Sequence, residues 1–133
     1  MARTVADYDR AQEWLERLLK IREAEGKDEL ALARIQHDLA WCYEDQGEYG
    51  RAEPLYRRSL EIKEKSLGKE HPSVAATLNN LAELYKAQGR YEEAKPLYQR
   101  CLSILRTTFP NGHPNIDAGQ ANYDDLKRKM AEQ

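Results

Sequence analysis

The run HDLAWCYEDQGEYGRAEPLYRR, residues 37–58, returns almost letter for letter as NNLAELYKAQGRYEEAKPLYQR, residues 79–100. A chain that restates itself at a fixed interval is built from copies of one supersecondary unit, each burying its apolar face against the next. The interval is constant: Gly47 and Gly89, Tyr49 and Tyr91, Pro54 and Pro96, and His71 and His113 are each 42 residues apart. Within a unit, Leu78, Leu81, Ala82 and Tyr85 recur at i, i+3, i+4, i+7, and Ala94, Leu97, Tyr98 and Cys101 do so again. That is the spacing of two amphipathic helices, so each unit is expected to be a helical hairpin. Gly47 and Gly89 stand where the first helix must stop and the chain reverse, a place that favours a left-handed backbone. Ala40 and Ala82 on the first helix, with Ala52 and Ala94 on the second, are small where the two helices should approach most closely. The linker SLGKEHPSVA sets Gly68 after one helix and Pro72 in the first turn of the next. Pro54 and Pro96 fall early in the second helix, where a mild kink is the most expected.

This register divides the chain into an unpaired helix over 5–26, hairpins over 29–70 and 71–112, and a terminal helix over 113–131. The start, DYDRAQEWLERLLKI, aligns with EYGRAEPLYRRSLEI at an offset of 41, so the chain begins with a second-type helix that has no first-type helix before it. Thr4 and Asp7 are placed to form its capping box. Leu18 stands where the later units carry Ser59 and Cys101, and Trp14, Leu15, Leu19 and Ile21 widen the apolar face. Three arrangements would cover that face: self-capping by Leu18, a homodimer seam at Trp14, Leu15 and Leu18, or continuation into a longer array. At the other end Gln120 replaces Leu78, Lys127 replaces Tyr85 and Ala131 replaces Gly89. Only Ile116, Tyr123 and Met130 keep an apolar stripe, as expected of a capping helix with a polar back.

The run LNNLAELYKAQGRYEEAKPLYQRCLSI, with Ala82, Ala94, the turn Gly89 and the following Tyr91, resembles a tetratricopeptide repeat. The longer period with LGKEHPSVA as linker is similar to the variant in kinesin light chains and many bacterial tetratricopeptide proteins. The resemblance covers residues 33–109 and implies an all-α fold, a right-handed superhelical solenoid of antiparallel helix hairpins whose concave groove holds peptides. The groove positions it implies are Arg34, His37, Trp41 and Glu44 in one unit and Ala76, Asn79, Glu83 and Lys86 in the next. In the terminal helix the same places hold Ala118, Ala121, Asp125 and Arg128. On this reading the shared letters build the hairpin and the differing letters specify the groove. Trp41, opposite Glu83 in register, is expected to be a binding anchor, the competing expectation being that it packs on the first helix near Trp14. A clamp for a peptide C-terminus is not expected, because Glu83, Trp41 and His37 occupy places where it would need Asn or Lys. Arg34, His37, Lys86, Arg128 and Asn79 are candidates to meet acidic groups on an extended peptide.

Other function classes are disfavoured. Of 133 residues 33% are charged, yet the formal net charge is −2, a solvated surface of mixed sign that does not suit nucleic acid. No apolar run is long enough for a membrane span, and MARTVADYDR lacks the apolar stretch of a secretory signal, so a cytoplasmic protein is expected. Cys42 and Cys101 lie inside apolar helical patterns and are expected to pack as small hydrophobes, with a disulfide or reactive thiol as the lesser alternative. His71 and His113 precede Pro at equivalent linker positions and are expected to be structural. His37 and Cys42, five apart, do not share a helical face well enough to ligate metal or act together as nucleophile and base. There is no Gly-x-Ser-x-Gly, no His-Glu-x-x-His and no glycine-rich phosphate loop. The expectation is no enzyme, no metal and no cofactor, but a module that binds a protein or peptide segment with micromolar affinity. Its rival is a scaffold that self-associates through the first helix.

Overall fold

The computed structural model describes residues 5–133, with side chains from Asp9 onward, so the expected capping box of Thr4 and Asp7 lies outside the described residues. Six helices follow one another: α1 (Val5–Glu25), α2 (Glu29–Asp45), α3 (Tyr49–Leu67), α4 (Pro72–Ala87), α5 (Tyr91–Thr108) and α6 (Pro114–Ala131). No strand occurs among the described residues. The chain forms two compact units, the first ending at Ser66 and the second spanning Leu67–Gln133.

Each hairpin turn is closed by the same backbone device. Gly47 (φ 79) and Gly89 (φ 75) take the left-handed conformation. The following amides of Glu48 and Arg90 donate back to Tyr43 O and Tyr85 O, each at 2.8 Å, while Gly47 N and Gly89 N donate to Glu44 O and Lys86 O. This is the double bond of a Schellman motif, which satisfies helix-end carbonyls that would otherwise lack partners. Helix starts are equally specific. Asp28 Oδ1 accepts from Ala31 N at 3.1 Å to begin α2. The Nδ1 atoms of His71 and His113 accept from Ser73 N and Asn115 N, both at 3.0 Å, with Pro72 and Pro114 in the first turn. The histidines repeated with the period are therefore N-caps. Helices α3 and α5 run through Pro54 and Pro96.

In the first unit α1 packs on α2. Helices α2 and α3 form a hairpin in which Ala40 and Ala52 are fully buried between their larger neighbours. Ser59 Oγ donates to Ala33 O at 2.6 Å, a bond that only a close helix approach allows. In the second unit α5 packs on both α4 and α6, and α6 also touches α4. Its core holds Val74, Leu78, Ala82, Leu84, Ala94 and Ile104, all with no exposure. Gly119 admits α6 to α5, since a Cβ there would sit 3.2 Å from Leu102 Cδ2. The two cysteines are free and buried, and burial pushes the Cys101 thiol up to about 11, which leaves it an inert packing group.

Candidate functional site

The candidate groove residues lie on α2, α4 and α6, and each unit arranges them differently. In the second unit the charges are matched to one another. Lys86 Nζ lies 3.1 Å from Asp125 Oδ2 and 3.3 Å from Glu83 Oε2, with its side chain only 14% exposed. Glu83 also accepts from the Tyr98 hydroxyl at 2.6 Å, and Arg128 reaches Asp125 at 3.1 Å. The hydrogen bond from Lys86 holds the Asp125 carboxyl below the usual carboxylate range. Lys86 and Arg128, candidates for meeting an acidic ligand, thus already have carboxylate partners within the unit. Beside this network opens a pocket of about 290 Å³, lined by Ala75, Ala76, Leu105 and Phe109 and by the carboxamides of Asn79, Asn80, Asn115 and Asn122. Asn122 Nδ2 donates to Asn79 Oδ1 at 3.4 Å. Phe109 stacks on His113 at 4.2 Å between ring centroids, tying the pocket rim to the α6 cap.

In the first unit the corresponding helix face is aromatic. Trp41 is 38% exposed and Trp14 is 64% exposed. Together with Ala11, Leu15, His37, Asp38 and Cys42 they line a cleft of about 410 Å³ between α1 and α2. Trp41 thus stands on the same cleft as Trp14 while keeping solvent contact. It also displaces an acid. Tyr98 meets Glu83, but the equivalent Tyr56 cannot find a carboxylate at position 41 and donates instead to Glu44, one turn further on, at 2.7 Å. Arg34 is exposed.

His37 departs from the picture of a switchable groove cation. Its ring packs edge-on against Tyr56 at 5.6 Å. Burial, aided by the Lys63 charge, lowers its pKa to about 4, so the imidazole is neutral near neutral pH. Lys63 itself is a residue the sequence reading missed. It is 4% exposed in α3, and burial lowers its pKa against the opposing pull of Asp38. The repeat register carried the signal, since Lys63 stands where the next unit has buried Leu105. Burial also raises the Asp38 pKa, with Lys63 opposing. Among the described residues no cluster of three or more His, Cys, Asp or Glu side chains could hold a metal. Among them, too, no helix is long and apolar enough to cross a membrane.

The same architecture recurs in known proteins, although no curated protein matches the chain. Among solved structures, a Podosopora anserina protein described as a putative kinesin light chain with nearly identical TPR-like repeats superimposes with a TM-score of 0.84 and 28% identity over 95% of this chain. A single-residue variant of that protein matches with the same values. BtubC (BKLC) from P. vanneervenii gives 0.83 and 25% identity, again over 95% of this chain. The chain spans 60% of the length of the first and 51% of the last. The tetratricopeptide repeat family model matches residues 1–65 and again 45–107. With its period, glycine turns and buried alanines accounted for by the same architecture, the chain belongs to the tetratricopeptide repeat family.

Proposed function

We propose that this chain is a non-catalytic binding module that holds an extended peptide segment of a partner protein on the first-helix faces of its hairpins, and that it works in the cytoplasm. Tetratricopeptide repeats are in general protein–protein interaction modules. The observation that carries the finer reading is the amide-lined pocket of the second unit, where Asn79, Asn80 and Asn122 converge beside apolar Ala75, Ala76 and Leu105. A carboxamide offers both a donor and an acceptor, which suits a peptide backbone whose N–H and C=O groups alternate. The neutralised cluster of Lys86, Glu83 and Asp125 disfavours selection by charge in this unit and favours backbone capture with small apolar side chains. Arg34, His37, Trp41 and Glu44 would supply the more specific contacts of the first unit. A short groove of this kind supports affinity of order micromolar.

The test is selection of a displayed peptide library on the wild type, followed by calorimetric titration of a recovered peptide. Asn79→Ala with Asn122→Ala should weaken binding at least tenfold while circular dichroism stays unchanged. Equal affinity for the double variant would overturn the amide reading. A second reading, self-association through Trp14, Leu15 and Leu18, draws support from the exposure of Trp14 and of Ile21, 64% and 53%. Sedimentation of the wild type and of Leu18→Glu separates it from the first.

A further inference from the structure

The linker between α5 and α6 departs from its counterpart in chemistry as well as in sequence. Its segment FPNGH, residues 109–113, stands where LGKEH, residues 67–71, stands 42 residues earlier. Both segments end in a histidine cap followed by proline. The second sets its left-handed glycine two positions later, at Gly112 (φ 95) against Gly68 (φ 91), and so places it directly after an asparagine. Asn111 and Gly112 form the one Asn–Gly pair in the chain. Of its five asparagines, the other four lie in α4 and α6, and Asn111 alone lies outside a helix.

An asparagine followed by glycine is open to attack by its own backbone. The amide nitrogen of the next residue, once deprotonated, adds to the side-chain carbonyl carbon, and a Cβ on that residue is what ordinarily crowds the approach. Gly112 has none, and a Cβ built there would meet nothing within 4 Å beyond its chain neighbours, so the space around its amide is open. Asn111 and Gly112 are both exposed, which gives hydroxide and water access. One contact restrains the attack. Gly112 N donates to Phe109 O at 3.0 Å, closing a turn with Pro110 and Asn111 at its centre. The amide must leave that carbonyl before it reaches Asn111 Cγ, so opening of the turn sets the pace. The amides that follow the other four asparagines are held in helical turns, a stronger restraint.

We propose that Asn111 is a site of spontaneous deamidation, and that its isoaspartyl product displaces one wall of the amide-lined pocket in the second unit. Gly112 N forms a bond to Asn111 Cγ as the C–NH₂ bond breaks, ammonia leaves, and a five-membered succinimide remains. Water then opens either carbonyl. Cleavage of the new bond to Cγ gives aspartate in an unaltered backbone. Cleavage of the bond to the main-chain carbonyl carbon gives isoaspartate, whose backbone runs through Cβ and is one methylene longer. The rings of Phe109 and His113, stacked at 4.2 Å, both line the pocket and are joined through this turn. Phe109 N is bonded to Leu105 O at the end of α5, and His113 Nδ1 to Asn115 N at the start of α6. With each ring anchored to its own helix, an added methylene between them pulls the stack out of register. The reaction needs no ligand, so its failure would leave the peptide reading standing.

Peptide mapping by mass spectrometry of the folded protein, aged in mildly alkaline buffer, tests the chemistry. Conversion at Asn111 is expected at least tenfold faster than at Asn79, Asn80, Asn115 or Asn122, with isoaspartate the more abundant product. The rate should rise with pH, because the deprotonated amide is the nucleophile. Asn111→Gln should suppress conversion at this position, since glutamine would have to close a six-membered ring. The structural consequence is read from the His113 ring protons by NMR, whose shifts report the Phe109 ring beside them. The aged isoaspartyl fraction should lose that ring-current shift. Asn111→Asp, which carries the charge without the added methylene, should keep it. Conversion at Asn111 no faster than at the helical asparagines would overturn the site. Unmoved His113 resonances in the isoaspartyl protein, or the same loss in Asn111→Asp, would overturn its effect on the pocket wall.

Discussion

The two hairpins share a skeleton and differ in what they bury. The α4–α5 hairpin closes over Leu78, Cys101 and Leu105, whereas α2–α3 closes over Gln36, Ser59 and Lys63 at the same three places. Ser59 finds the Ala33 carbonyl, but Gln36 Oε1, on a side chain 4% exposed, has no hydrogen-bond partner. Lys63 gives up hydration inside the first unit. The alanines at the helix crossing, the tyrosines of the second helices and the turn glycines are common to both. Those shared groups are therefore enough to define the hairpin, and the rest of its interior accepts polar substitution at an energetic cost. The first unit should be the less stable of the two for this reason.

Exchanging residues at the Gln36/Leu78 position tests that contrast most sharply. Leu78→Ala should cost about 3 kcal/mol, as expected for a large apolar side chain removed from a packed site. Gln36→Leu should instead stabilise by about 1 to 2 kcal/mol, because it removes a buried acceptor without a donor. Chemical denaturation measures both, and a loss of stability in Gln36→Leu would show that the amide is satisfied in the folded protein.

An effect of similar size separates the hairpins by pH. His37 has a folded pKa of about 4 against 6.5 when unfolded, so the unfolded chain binds the extra proton between those values. Stability from this group is complete above pH 6.5 and is lost as pH falls toward 4. The total loss is on the order of 3 kcal/mol at about 1.4 kcal/mol per pKa unit. Asp38, with its raised pKa, opposes part of this fall. Asn79 takes the matching place in the second hairpin and carries no titrating group. Denaturation midpoints from about pH 7.5 to about 4.5, which bracket most of that window, should therefore flatten in His37→Gln. An unaltered slope would remove His37 from the explanation.

The smallest expected effect concerns what the two linkers share. His71→Ala should cost about 1 kcal/mol by deleting the acceptor for Ser73 N, and His71→Asp should recover most of it. Equal stability of the alanine variant would show that solvent serves the cap as well as the imidazole does.

Much of this was legible in the sequence because it is local and repeated. The spacing of Leu78, Leu81 and Tyr85, the turns at Gly47 and Gly89, and the linker motifs each encode their structure within a few residues. The cap function of His71 and His113 was legible as a position before Pro, but not as an Nδ1 acceptor, because ring orientation is set by the neighbouring backbone. Tertiary partners were not legible. Nothing in the spacing says that Lys86 would be shared by Glu83 and Asp125, or that Gly119 would admit Leu102. Lys63 carries no local sign of burial on a helix rich in charges, and only comparison with Leu105 in register exposes it as an interior position. Trp41 was legible as exceptional, because a tryptophan and a glutamate cannot both serve as core at equivalent places.

The central claim is that the differing residues on the first helices are the ones that read a peptide. Side-chain amide resonances report this most directly, since the carboxamides of Asn79, Asn80 and Asn122 surround the proposed backbone contacts. Titration of a selected peptide into isotopically labelled protein should move those three NH₂ pairs together. Shifts confined to residues away from the first-helix faces, such as Arg57, Lys65 and Glu61 on α3, would contradict the account.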